Sequence, residues 1–68
     1  MRWEDAEDIA EALMETYPEV DPTTLSFPRM HEMITKLPDF EDDPKRSNEA
    51  ILESIFMAWY EMYQAKKK

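Results

Sequence analysis

Five prolines divide this chain of 68 residues, and they restrict its fold more than any other feature. A proline fixes its own φ at about −65°, lacks an amide hydrogen and pushes the residue before it out of the helical region. It is tolerated in the first turn of a helix and breaks later ones. Pro18, Pro22, Pro28, Pro38 and Pro44 leave three windows in which a helix fits, joined by proline-marked connections.

The first window predicts a helix over residues 5–17. Ala6, Ile9, Leu13 and Tyr17 recur at three- and four-residue steps and form its inner face. Asp5 is the expected N-cap, with Asp8 three residues on, and Pro18 closes the helix. Asp21-Pro22 reads as a turn, and residues 23–27 as a small strand or simply extended chain. The second helix is expected over 28–37, with Met30, Met33, Ile34 and Leu37 on one stripe and Pro38 as the stop. The loop 38–43 is acidic around one phenylalanine, Phe40, which we expect to pin the loop to the core. The third helix is expected from residue 44 to about 65, with Asp43 as N-cap and Pro44 at the first position. Ser47 is an alternative N-cap that shortens it by a turn. Ile51, Leu52, Ile55, Phe56, Trp59, Met62 and Tyr63 give this helix a broad apolar face, so it should be the spine of the fold. The expectation is a mainly α, three-helix single domain over residues 1–68 with little or no strand. Lys66, Lys67 and Lys68 form a frayed tail.

Composition excludes several functions. Without cysteine the chain has no disulfide, no thiolate zinc site and no iron–sulphur cluster ligated by its own sulfurs. Without glycine it has no phosphate-cradling loop, dinucleotide fingerprint or calcium loop. The N-terminus turns acidic at once and does not read as a signal peptide, and no stretch is long enough to span a bilayer. We expect a cytoplasmic protein. Sixteen acids against eight bases give a net charge of −8, which repels a phosphate backbone and suits a basic protein surface or a cation.

The charge is segregated. Residues 4–21 carry eight acids and no base, and residues 39–43 carry four acids and no base. At about 100° per residue, Glu4, Asp8, Glu11 and Glu15 line one stripe of the first helix opposite Ile9 and Leu13, flanked by Asp5 and Glu7. Like-charged pairs at i, i+4, such as Glu7/Glu11 and Glu11/Glu15, each cost about 0.2–0.5 kcal/mol in an isolated helix. No lysine or arginine lies between Trp3 and Pro28 to relieve them. Such a face is either a solvated surface that keeps a small protein monomeric or a docking surface for something positive, and composition alone does not choose.

The segment Asp39, Phe40, Glu41, Asp42, Asp43 is the second acidic centre, and its carboxylates are hard oxygen ligands suited to Mg, Ca, Mn or Fe(II). Asp43 also reads simply as a helix cap. His31 is the only histidine, and no second imidazole or thiolate supports it as a ligand, so a bond to backbone or to an acid is the expected role. Nothing places a base beside Ser47, Thr23 or Thr24, and no catalytic constellation is found. Met14 and Met57 fit the apolar faces poorly, and both read as ordinary surface methionines. With Tyr60 they would otherwise form an exposed patch.

Asp21-Pro22, Phe27, Met30-His31, Leu37, Phe40 and the run FEDDPKRSNEAILE, with Trp59, resemble the IscX (YfhJ) family. Trp3, Asp5, Ile9, Glu11-Ala12-Leu13 and Tyr17-Pro18 fit as well, so the resemblance spans about residues 3–61. Met33 departs from it, standing where a tryptophan is expected. The resemblance implies a modified winged-helix fold built from three helices, and a small acidic accessory protein of iron–sulphur cluster assembly. It implies no enzymatic activity, binding to the cysteine desulfurase IscS through the acidic surface, and competition with the bacterial frataxin. It also implies weak Fe(II) binding on exposed carboxylates. Asp5, Glu11, Asp21, Asp39, Asp42, Asp43 and His31 match family positions, and Asp8 lies in the same acidic turn. The expected docking residues are Glu4, Asp5, Asp8, Glu11, Glu15, His31, Asp39, Glu41, Asp42 and Asp43. The expected iron ligands are Asp5, Asp8, Glu11, Asp39, Asp42 and Asp43. Charge argues against nucleic acid as a partner in spite of the winged-helix analogy, and a monomer is expected. The rival readings are an iron donor and an acidic nucleic-acid mimic.

Overall fold

The computed structural model describes residues 1–67; Lys68, the last residue of the expected tail, lies outside them. Three α-helices follow one another: α1 (Ala6–Thr16), α2 (Phe27–Thr35) and α3 (Glu49–Lys67). Two short 3₁₀ turns, Pro22–Thr24 and Pro44–Arg46, precede α2 and α3. No strand occurs among the described residues, so residues 23–27 are turn and extended chain.

Each helix begins and ends for a local reason. Asp5 holds the N-cap position of α1 and its carbonyl accepts the Ile9 amide at 2.9 Å, but its carboxylate makes no cap bond; Oδ2 turns back to accept the Arg2 amide at 3.0 Å. At the other end the Tyr17 amide donates to Leu13 O, and Pro18 follows. α2 starts one residue earlier than expected, because Ser26 caps it through the Arg29 amide and Pro28 occupies the first turn. It ends two residues earlier, where the Leu37 amide closes a tighter turn onto Ile34 O at 3.1 Å.

The start of α3 corrects both expected caps. Asp43 caps only the 3₁₀ turn, accepting the Lys45 amide at 2.9 Å. Ser47 ends that turn in extended geometry. Asn48 is the residue that caps α3, its Oδ1 accepting the Ile51 amide at 2.9 Å while its carbonyl accepts Leu52. An asparagine amide is as good a cap as an aspartate. The helix then runs on through Lys66 and Lys67, two residues of the expected frayed tail.

The core is where the apolar spacing places it. Ile9, Leu13, Met30, Ile34, Ile55 and Trp59 are fully buried, and the α1–α3 contact is the largest between helices. Met14 is a correction, since it is buried. α1 packs against both α2 and α3, so its buried arc widens from Ile9 through Ala10 and Leu13 to Met14, beyond a single stripe. Met57, by contrast, is 56% exposed, as expected.

Candidate functional site: a clasped acidic surface

Glu4 and Asp39, the first acids of the two acidic segments, lie 35 residues apart in sequence, and the chain ahead of α1 joins the segments. The N-terminal arm lies along the acidic loop. The Met1 amino group donates to Asp39 O at 2.8 Å, and the Glu41 amide donates back to Met1 O at 3.0 Å. The Trp3 amide donates to Asp42 Oδ2 at 3.2 Å, and its indole Nε1 donates to Asp43 O at 2.6 Å. The arm runs straight into Glu4, Asp5 and α1, so the loop is held beside the first turn of that helix. There Glu4, Asp5, Glu7 and Asp8 surround a shallow open depression.

Trp3 is the centre of the clasp. It is 3% exposed. Phe40 meets it edge-to-face, with ring centroids 4.7 Å apart, and His31 stacks on it at 5.3 Å. Both geometries are favourable for aromatic pairs. Phe40 thus pins the loop as expected, through Trp3. His31 Nε2 lies 2.6 Å from Pro44 O, and since a carbonyl only accepts, this nitrogen carries the hydrogen. His31 therefore ties α2 to the turn after the loop through a backbone bond.

Asp42 completes the clasp. Its Oδ1 accepts the Asp43 amide at 2.7 Å and the Arg46 guanidinium at 3.0 Å, and its side chain is 6% exposed. Burial pushes its carboxyl up, but the Asp43 and Trp3 amides and the Arg46 charge outweigh this and hold it below the ordinary carboxylate value. A carboxylate held low stabilises the fold above its unfolded pKa of about 3.9, and that stabilisation is lost as pH falls through the lower folded value. The clasp should therefore stay closed at pH 5 and also at the ordinary carboxylate pKa, and open only at lower pH, as the folded Asp42 carboxylate takes up its proton. The resonance of the Trp3 backbone amide, which donates to Asp42, reads this directly. In Asp42→Asn it should already be displaced at neutral pH, and an unchanged resonance there would contradict the role given to Asp42.

The other acids divide by what they touch. Glu4, Glu7, Asp8, Glu11, Glu15, Asp39, Glu41 and Asp43 are exposed, and Asp5 and Asp42 are half-buried. Glu7 and Asp8 suit the helix dipole at the start of α1. Glu11 and Glu15 have no such reason to be acidic, since no base stands in the last turn of α1. Glu15 lies ten residues beyond Asp5, about 15 Å along the helix axis, so the loop adjoins only the beginning of the stripe. Among the described residues no group of three or more His, Cys, Asp or Glu is gathered closely enough to hold a metal ion. The hydroxyls of Thr23 and Thr24 are spent on Asp21, donating to Oδ1 and to the backbone carbonyl, both at 2.7 Å.

The clasp role of Trp3 was not evident from spacing, because its partners lie 39 and 40 residues away. A tryptophan set among charges ahead of an N-cap, and a lone phenylalanine in an acidic loop, were the available signals.

Together the fold and the site define a small three-helix domain that displays carboxylates on a surface fixed by its own N-terminal arm. The chain belongs to the iron–sulphur cluster assembly family, the IscX/YfhJ family, which it matches over residues 1–64. It is 44% identical over 61 residues to PA3808, an uncharacterized protein of Pseudomonas aeruginosa, across 90% of this chain and 92% of that one. Its role accordingly lies in iron–sulphur cluster assembly. No helix among the described residues is long and apolar enough to cross a membrane.

Proposed function

We propose that this protein is a non-enzymatic adaptor that docks on the cysteine desulfurase IscS through its acidic surface and carries Fe(II) weakly on the same carboxylates. The observation that supports this reading is the clasp. Four backbone and indole hydrogen bonds hold the acidic loop against the start of α1, although like charges brought together repel. A surface serving solubility alone has no need of that arrangement.

The mechanism is electrostatic. A protein of charge −8 is steered to a basic groove, and association is fast and sensitive to salt. The bacterial frataxin competes where it uses the same groove. Fe(II) on the exposed carboxylates neutralises part of the surface and so couples iron level to docking. The separation of the carboxylates keeps that binding weak, since hard cations gain from several oxygens at once.

Calorimetric titration of the desulfurase tests both statements. Affinity should fall steeply between about 20 mM and about 300 mM salt as the screening length shortens, and Fe(II) should weaken it further. Affinity indifferent to salt would overturn the docking mechanism; affinity indifferent to Fe(II) would overturn the coupling alone.

A further inference from the structure

The folded chain has one wall of opposite character. α2 and its C-cap residue present Arg29, Glu32, Met33 and Lys36 at i, i+3, i+4 and i+7, a single helix face. Facing it are Tyr17, Val20 and Leu25 from the connection after α1, and an open cleft of about 270 Å³ lies between the two walls. Its floor is apolar and its rim carries two cations and one carboxylate. Glu32 pairs with Lys36 at 3.4 Å. The Arg29 guanidinium has no carboxylate partner among the described residues.

We propose that this cleft binds a short acidic peptide segment of another protein, with one apolar side chain seated between Leu25 and Met33 and a neighbouring carboxylate on Arg29. The volume is below the roughly 300–1,000 Å³ of small-molecule and cofactor sites and fits one large side chain. Arg29 and Lys36 are two helical turns apart, about 10.5 Å, which three residues of extended peptide span. Arginine receives a carboxylate through two parallel hydrogen bonds. The chain's own acidic-aromatic segment, Asp39-Phe40-Glu41, does not supply the occupant, because Phe40 is packed on Trp3. This occupant is opposite in charge to the basic groove proposed for the acidic surface. The two faces would therefore take different partners, and the protein could bridge them.

The test is a ¹⁵N chemical-shift titration of the full chain with acetyl-Glu-Ser-Phe-Glu-amide, and with the same peptide carrying lysine for glutamate. Saturable shifts at Val20, Leu25 and Met33 are expected with the acidic peptide only. Arg29→Glu should lower its affinity about tenfold or more, as loss of a charge-assisted hydrogen bond does. Arg29→Gln keeps the stem and serves as the second variant, with amide dispersion confirming that both fold. The proposal is overturned if the acidic peptide gives no saturable shift up to about 5 mM, beyond which binding is negligible. It is equally overturned if both peptides bind alike, or if the Arg29 variants bind as well as the parent. Concentration-dependent shifts at the cleft without peptide would assign it to a second copy and also overturn the proposal. None of these outcomes bears on docking to the desulfurase.

Discussion

Trp59→Ala should unfold the domain. Trp59 is fully buried in α3, the helix that makes the largest contact with α1. Truncating a buried tryptophan to alanine costs about 3–5 kcal/mol. At roughly 0.05–0.15 kcal/mol per residue, a domain of this length has only about 3–10 kcal/mol to lose. Urea denaturation followed by circular dichroism should therefore show the cooperative transition lost or moved close to zero denaturant. Stability within about 1 kcal/mol of the parent would contradict the placing of Trp59 at the centre of the core. Trp59→Phe is the informative companion. The Trp59 indole nitrogen is buried without a hydrogen-bond partner among the described residues, and an unsatisfied buried donor costs about 1–3 kcal/mol. Phenylalanine removes that donor while keeping much of the ring, so this variant should remain folded.

Reversing Asp5, Asp8 and Glu11 to lysine should abolish docking while the helices survive. The three changes take the net charge from −8 to −2. Loss of steering of this size slows association by about 10²-fold at low salt, and stopped-flow mixing with the desulfurase reads it. The Asp8 and Glu11 carboxylates make no hydrogen bond or ion pair among the described residues, so their reversal removes charge and little else. Asp5 differs, because its carboxylate holds the Arg2 amide. The Asp8/Glu11 double reversal, with the arm intact, separates charge from clasp. Glu11→Lys also turns two repulsive i, i+4 pairs attractive, which offsets the poorer fit of a lysine at position 8 to the helix dipole. Loss of helical signal in either variant would show that the acids serve the fold.

Features set by neighbours in sequence were legible before the structure. Pro18 ends α1 through the residue before it, whereas α2 stops at Thr35, short of the residue before Pro38; the apolar steps from Ile9 to Leu13 and from Ile51 to Tyr63 are periodic within one helix. The placing of Asp8, Glu11 and Glu15 on one stripe of α1 follows from helical geometry alone, and all three are exposed; Glu4, expected on the same stripe, lies in the turn ahead of the helix. Asn48 shows how narrow that legibility is. Asp43, Ser47 and Asn48 are all good caps within six residues, and local preference does not rank them. The choice fell to contacts distant in sequence, since the Asp43 and Pro44 carbonyls are engaged by Trp3 and His31.

The sequence by itself determined three helices, a marginal core around Trp59, and two segments that hold twelve of the sixteen carboxylates. Proline geometry, apolar periodicity and charge all act over a few residues, so a linear reading captures them. Only the tertiary structure decided that the two acidic segments adjoin, that Trp3 is the residue joining them, that Met14 is core, and that Arg29 faces a cleft. Each of these depends on contacts between residues distant in sequence. Such contacts are selected by the packing of the whole chain at once, which no local rule encodes.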